Sequence, residues 1–458
     1  MILQRDKTVH LTNQIWHEFK TKVKRCFLLR DKMNKILVFP CGSEIGLEIY
    51  RSMKFSRHFH LIGGSSVDDH GRFVFKDYVG GIPFHNEPDF IQAIADIVKQ
   101  RQIDAIYPAM DDVAVSLKKS EHILGCRVIG SSVDATVTCA SKGLTYTHLY
   151  RYLPVPTWCS SIDDVHAYPV FIKPDVGYGS RNVYVAKNEN SARVFIETKG
   201  LSSDFVFCEY LPGPEYTIDC FTNRHGELMF SGARLRNRIS NGISTNTREA
   251  EVFGELFQSY AQKINSILCP RGAWFFQMKL DVNDSPKLLE VAIRLGGSSS
   301  LFRAQGVNFA LLSTFDAFDI DVSIVKNSYS VELDRALSNK YSLNIEYHTI
   351  YLDYDDCLLI GTQINIDLIK FIFSAINSKK KIILITRHAG DIYKSLANYR
   401  IAHLFDKVIH LVDKKERKSK YILSDGAIFI DDSHAERLDV LDKCQIPVFS
   451  PEMVEMLT

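Results

Sequence analysis

No C-x-x-C pair occurs anywhere in this chain, although it holds ten cysteines. They stand apart, at Cys26, Cys41, Cys126, Cys139, Cys159, Cys208, Cys220, Cys269, Cys357 and Cys444. Such scatter argues against a disulfide scaffold or a structural zinc and fits a reducing cytosol. Long apolar runs are also missing. Stretches such as Ile382-Ile383-Leu384-Ile385 fall far short of the ~20 residues a membrane helix needs. The opening residues, MILQRDKTVH, are charged where a secretion signal needs an apolar core. Net charge is nearly absent too: 55 basic residues against 54 acidic ones leave +1. That balance gives no global electrostatic reason to expect nucleic acid or an acidic membrane as partner. Neither an internal repeat nor a low-complexity tract is present. The expectation is a soluble, cytoplasmic protein.

The 458 residues, 46% hydrophobic and 24% charged, make an ordinary globular mix. At ~150 residues per domain they suggest about three domains, or two large ones. Residues 1–33 read as an extension, with Lys20, Lys22, Lys24, Arg25, Arg30 and Lys32 forming a basic stretch expected as a solvated helix or tail. MNKILVFPCG then looks like a domain start, with Met33 as an alternative initiation site. From residue 34 the pattern is strand, helix, strand. Ile36-Leu37-Val38-Phe39 is a buried-strand run, Gly42 to Gly46 turns into a helix, and His60-Leu61-Ile62 and Ala105-Ile106-Tyr107 follow. That order means a parallel sheet with crossover helices, whose strand ends at Pro40–Gly46 and Met110–Asp112 would line a crevice. We expect domains at 34–132 and 133–330, a linker at 331–345 and a last α/β domain at 346–458.

The central stretch of most chemical interest runs from Pro169 to Val183. A β run ends in Lys173, and a glycine-bearing loop with Gly177, Gly179 and Ser180 leads to a second β run. An ammonium beside a flexible hairpin with exposed N–H groups suits phosphate. The order of a Walker loop is absent, as is a dinucleotide fingerprint, and Lys followed by G-x-G also suits an ordinary hairpin. Further on, Phe205 to Leu211 reads as a strand ending in an acid, and Glu215 follows Pro212-Gly213-Pro214. Phe275–Leu280 and Lys287–Arg294 read as a strand pair carrying Gln277 and Glu290, an oxygen set suited to Mg²⁺.

On these motifs residues 34 to about 330 resemble the ATP-grasp superfamily, nearest to carbamoyl-phosphate-synthetase-like and peptide-ligase-like members. The resemblance implies a Rossmann-like pre-ATP-grasp domain followed by two subdomains that clamp ATP. It implies that Lys142 and Lys173 contact phosphate, that Gly177, Gly179 and Ser180 form the glycine loop, and that Glu209 to Leu211 form the adenine hinge. Glu215 would hold the ribose, Gln277 and Glu290 would bind Mg²⁺, and Arg294 would steady the transferring phosphate. One departure stands out. Where such proteins read E-x-N-x-R, this chain reads Glu290-Val291-Ala292-Ile293-Arg294, and alanine cannot bind a metal. The family chemistry is phosphorylation of a carboxylate followed by attack of an amine, so the implied partners are ATP and small carboxylate and amine substrates. Arg234, Arg236, Arg238 and Asn241–Asn246 read either as substrate contacts or as solvated surface.

The C-terminal block carries a second constellation. Thr349-Ile350-Tyr351-Leu352 runs into Asp353, Asp355 and Asp356, Ile383-Leu384-Ile385 into Thr386, and Ile428-Phe429-Ile430 into Asp431 and Asp432. Acids clustered beyond strand ends repel one another unless a cation or solvent separates them. This ordered set resembles the haloacid dehalogenase (HAD) superfamily of phosphohydrolases. The resemblance implies Asp353 as nucleophile, Asp355 as general acid/base, Thr386 and a lysine on the phosphate, and Asp353, Asp355, Asp431 and Asp432 around Mg²⁺. Lys418 is the expected lysine, with Lys420 close behind. One helix between Asp353 and Thr386 leaves no room for a cap, so a capless Rossmannoid domain with an open site for a phosphorylated substrate is expected. The fold class is therefore α/β and α+β, multidomain. Its leading reading is an ADP-forming ligase joined to a Mg²⁺-dependent phosphatase. An ATP-grasp kinase and a regulatory nucleotide-binding module without turnover are the alternatives. A homo-oligomer is compatible with either.

Overall fold

The structure is a computed structural model and describes residues 33–177, 182–199, 204–250, 252–338, 341, 343–413 and 415–457. The basic extension before Met33, and the loop residues Gly179 and Ser180, lie outside the described residues. The chain forms two compact units that part between Ser338 and Asn339. Among the described residues no helix is long and apolar enough to cross a membrane.

The first unit begins with a parallel sheet. Its strands are β1 (Asn34–Phe39), β2 (Phe59–Gly64), β3 (Asp77–Val79), β4 (Ala105–Pro108) and β5 (Arg127–Val128), in spatial order 3-2-1-4-5. Ile36, Leu37, Val38 and Phe39 are all buried, because helices cover both faces of such a sheet. The helix Glu44–Met53 starts directly off β1, its Ser43 cap accepting the Gly46 N–H. The crevice anticipated at the ends of β1 and β4 is present.

Two antiparallel sheets follow. The smaller joins β6 (Trp158–Cys159), β7 (Val170–Pro174), β8 (Tyr184–Ala186) and β9 (Phe205–Glu209) in order 6-9-7-8. The larger contains β10 (Glu215–Thr222), β11 (Leu228–Ser240), β12 (Ile243–Glu249), β13 (Gly272–Leu280), β14 (Pro286–Ala292) and β15 (Glu332–Asp334) in order 14-13-10-11-12-15. The helix Gly254–Leu268 covers one face, burying Phe257, Tyr260, Ala261, Ile264 and Leu268 at helical spacing. These side chains meet Ile218, Trp274 and Phe276 in one core.

Two features depart from the boundaries expected above. Ile36, Val38 and Ile49 share a hydrophobic cluster with Phe221, Ala273, Phe302 and Phe309, so packing runs without a break across the boundary expected at 132/133. Part of the segment expected as a linker is a strand: β15 pairs with β12, Asn246 opposite Asp334 and Arg248 opposite Glu332. Pairing there satisfies an edge that would otherwise stay open.

The second unit is a parallel sheet of β16 (Thr349–Leu352), β19 (Lys381–Thr386), β20 (Lys407–His410), β21 (Ala427–Ile430) and β22 (Val448–Phe449), in order 20-19-16-21-22. A short hairpin, β17 (Leu359–Ile360) and β18 (Gln363–Ile364), follows the first acids. The central strand β16 has all four residues buried. The carboxyl ends of β16, β19 and β21 therefore lie side by side, where a parallel sheet gathers its functional groups.

Candidate functional site

In the first unit a cavity of about 180 Å³ lies between the two antiparallel sheets. Lys142, Lys173 and Gly177 line one side, with Glu209, Leu211 and Glu215. Gln277 and Glu290 also line it. Every expected nucleotide residue within the described residues is thus gathered in one place, although they are spread over about 150 positions of sequence.

Lys173, on β7, is 6% exposed. Its Nζ donates to the Tyr146 hydroxyl at 2.8 Å and to the Leu289 carbonyl at 3.1 Å. Burial pushes its pKa below that of a free lysine. Lys142 begins the helix Lys142–Leu149, and its Nζ donates to the carbonyls of Asp175 and Gly177 at 3.1 and 3.2 Å. The nearby Asp175 carboxylate is already engaged, accepting from Ser141 Oγ at 2.6 Å and from the Gly143 N–H at 2.7 Å. Among the described residues, neither ammonium has a carboxylate partner. Two buried ammoniums whose own hydrogen-bond partners are neutral oxygens are a site for an anion.

The acids across the cavity differ in state. Glu215 is paired with Arg236 and lies 3.8 Å from Lys279 Nζ. Glu209 is held by Lys287 Nζ at 2.7 Å to each oxygen, a pairing across 78 positions that no local pattern announces. Gln277 and Glu290 stand directly opposite each other on β13 and β14. Gln277 Oε1 accepts from Arg236 at 3.3 Å. No side chain among the described residues hydrogen-bonds or ion-pairs with Glu290. Ala292 is buried opposite Phe275 and offers no ligand atom. A lone carboxylate and an amide oxygen suit one Mg²⁺ completed by phosphate oxygens and water.

A second cavity, about 640 Å³, shares Arg236, Gly242, Gln277 and Glu290 with the first and opens onto the strand-end crevice at Ser43–Ile45 and Met110. Its floor is a row in direct register across four strands: Arg234, Thr217, Gln277 and Glu290. Arg234 is neutralised by Asp219 at 2.6 Å. Arg294, on the wall, donates to Asp111 at 2.7 Å and lies over the Phe275 ring. Arg335, just past β15, pairs with Glu44 and donates to Ser298 Oγ at 3.1 Å. A Cβ at Gly297 would fall 2.1 Å from Glu44 Oε1, so a larger residue there would displace the Glu44 side chain from Arg335. Arg238, in contrast, turns outward to Asp334 and Thr245. Arg335 was missed in sequence because nothing near it marks a site; only the pairing of β15 brings it in.

In the second unit Asp353 follows β16, Thr386 ends β19 and Asp431 follows β21. Lys418 reaches both acids, 2.8 Å from Asp353 Oδ1 and 2.7 Å from Asp431 Oδ2. Burial opposes its charge, yet the two acids prevail and hold its pKa up. Burial raises the pKa of Asp353 and Asp431, and the Asp353 charge adds to the effect at Asp431. Oxygens of Asp353, Asp431 and Asp432 lie within 4.8 Å of one another. Three carboxylates around one ammonium leave negative charge that a divalent cation would neutralise. Lys420 is exposed, so Lys418 takes the expected position. The Asp355 side chain is not in the acid cluster; it meets His388 Nδ1 at 2.9 and 3.0 Å, a partner not anticipated from sequence.

Comparison with known proteins bears on the first unit. Residues 202–336 match the family model "ATP-grasp in the biosynthetic pathway with Ter operon". Biotin carboxylase from Campylobacter jejuni, solved with β-γ-ATP, superposes with a TM-score of 0.54 at 16% identity, over 65% of this chain and 74% of that one. The fold is ATP-grasp. An L-amino acid ligase from Bacillus licheniformis superposes on the ATP-grasp unit's fold with a TM-score of 0.51 at 16% identity, covering 64% and 75% of the two chains. The arginine-specific carbamoyl phosphate synthase large chain of Halalkalibacterium halodurans is 20% identical over 180 residues, 37% of this chain. The chain spans 17% of that relative's length. ATP-grasp enzymes use ATP with Mg²⁺, and the unpaired ammoniums and free Glu290 suit both.

Proposed function

We propose that the ATP-grasp unit is an ADP-forming ligase that activates a carboxylate as its acyl phosphate and passes the acyl group to an amine. The observation that carries this reading is the pair of buried ammoniums, Lys142 and Lys173, which among the described residues have no carboxylate partner, on a cavity also lined by Glu290, which has no charged partner among them. Ammoniums on one side and a carboxylate on the other suit a polyanion together with a metal. Lys142 and Lys173 would hold the phosphates, Glu215 and the 209–211 segment the nucleoside, and Glu290 with Gln277 the Mg²⁺, which shields phosphate charge when bound. Arg294, on the wall of the second cavity and held in place by Asp111, would steady the transferring phosphate. The adjoining cavity is the place for the acid and the amine. The protein's contribution is positioning and charge neutralisation, with no covalent nucleophile of its own. The fold shared with an L-amino acid ligase favours amide formation.

In phosphorus NMR of a mixture with Mg·ATP and candidate acids and amines, ADP and inorganic phosphate should accumulate together only when both substrates are present. Pyrophosphate would refute the reading. Nucleotide binding with no turnover on any acid would favour the alternative that Ala292 supports, a module that binds nucleotide without ligating.

We further propose that the second unit is a capless, Mg²⁺-dependent HAD-type phosphatase. The order Asp353, Asp355, Thr386, Lys418, Asp431 and the Lys418 bridge between two buried acids support it. Asp353 would take the phosphoryl group. Fluoroberyllate should form a Mg²⁺-dependent adduct at Asp353 in the parent chain and none in Asp353→Asn.

A further inference from the structure

We propose that His388 is the residue that positions Asp355 for proton transfer in the second unit, an inference that rests on the phosphatase reading above. The Asp355 side chain is 44% accessible, whereas Asp353 and Asp431 are buried. An exposed aspartate samples several rotamers. A proton donor must instead stay within hydrogen-bond reach of one oxygen. Among the described residues, His388 is the one side chain that holds Asp355, with Nδ1 at 2.9 and 3.0 Å from its two oxygens.

His388 is itself fixed from three directions. Its ring meets the Tyr354 ring edge-on at 5.2 Å, and the Tyr354 hydroxyl bonds Ser395 Oγ at 2.8 Å. Its backbone N–H donates to Thr386 Oγ1 at 3.2 Å. Its carbonyl accepts from His410 Nε2 at 2.8 Å. The strand end that presents the phosphate-binding Thr386 thus also presents, two residues later, the anchor of the proton donor. The tie joins β19 to the loop after β16, so the spacing between phosphate site and donor is set by two elements rather than by one rotamer.

The chemistry follows in two balanced halves. An oxygen of Asp353 forms a bond to phosphorus as the bond to the leaving oxygen breaks, and the leaving oxygen keeps the electron pair and takes the proton of the Asp355 carboxyl. Water then attacks phosphorus, giving its proton to the Asp355 carboxylate, and the bond to Asp353 breaks with its electron pair returning to that carboxylate. Inorganic phosphate leaves. In the tautomer that carries its proton on Nδ1, His388 donates to the Asp355 carboxylate, which it meets at 2.9 and 3.0 Å, and so holds that group in one orientation through both halves.

The test uses the full chain with Mg²⁺, the variants His388→Ala and His388→Asn, and two aryl phosphates of the same scaffold. Dinitrophenyl phosphate releases a phenolate that needs no proton, and phenyl phosphate releases one that does. His388→Ala should lower kcat/KM for phenyl phosphate about 10²-fold, the usual cost of a donor misplaced by about 1 Å. Dinitrophenyl phosphate should change by less than about twofold, since it draws little on acid catalysis. Fluoroberyllate binding at Asp353 should be unchanged. Asparagine, whose amide can stand where Nδ1 stands, should restore part of the loss, and it carries the comparison if the alanine variant fails to fold. Equal losses on both esters, or no loss on phenyl phosphate, would overturn the inference while leaving the phosphatase intact. A parent chain with neither turnover nor adduct would instead sink the phosphatase reading, and this inference with it.

Discussion

Lys173 shows how a single charge can be costly to the empty protein and necessary to the loaded one. Its ammonium is buried, donates to a hydroxyl and a carbonyl, and has its pKa lowered by burial. Lys173→Met keeps much of the volume and removes the desolvated charge, so melting temperature without nucleotide should hold or rise. Affinity for a non-hydrolysable Mg·ATP analogue should fall about 10- to 100-fold by calorimetry, matching a lost charge-assisted contact of ~1.5–3 kcal/mol. The sign of the pH dependence follows from the same shift. A lysine with a lowered folded pKa leaves the unfolded state holding more protons between that value and the ordinary 10.5. Stability of the empty protein should therefore rise with pH through that window, whereas nucleotide affinity should fall as the ammonium is lost. Calorimetry in buffers of different ionisation enthalpy should show proton uptake on binding at alkaline pH. An affinity that stays flat through pH 10.5, the ordinary lysine value, would contradict the assignment.

Among the elements, β15 does more than its three residues suggest. It covers the edge of β12, and the side chains around it supply bonds that a loop could not keep in register: Asp334 accepts from Arg238 and Asn246, and Arg335 reaches Glu44 across 291 positions. A chain ending at residue 338 should fold as the whole first unit. One ending at 330 should lose these pairings and expose an open strand edge. A deficit on the order of a few kcal/mol is expected, seen as a drop of about 5 °C or more in melting temperature together with concentration-dependent association. Equal melting of the two truncations would remove β15 from the fold's support. The helix Gly254–Leu268 and the pair β13–β14 were legible from pattern alone, because a 3.6-residue period and an alternating run identify themselves locally. A three-residue edge strand has no such period.

For the whole molecule, each unit contains the complete set of residues proposed for its own chemistry. Lys173→Met should suppress ADP formation while leaving aryl phosphate hydrolysis intact, and Asp353→Asn should do the reverse; chelation of Mg²⁺ should stop both. Loss of both activities from either single substitution, with the fold retained by circular dichroism, would show that the sites are coupled.

Local chemistry of sequence determined which residues matter: the lysine after β7, the acids after β16 and β21, and the Gln277–Glu290 strand pair are written as short patterns whose spacing survives in any context. The tertiary structure decided what those residues are paired with. Arg294 meets Asp111, Arg335 meets Glu44 and Asp355 meets His388 only because sheets bring distant segments within 3 Å, and no local pattern encodes a partner 183 or 291 positions away. The same holds for the first core. Ile36 and Phe302 belong to one cluster through three-dimensional packing, which is why a boundary drawn from composition at 132/133 does not mark a gap in it. Charge balance is the last case: that among the described residues Lys142 and Lys173 have no acid partner while Arg234, Arg236 and Arg294 do is a property of the assembled cavity, where burial makes each missing partner count.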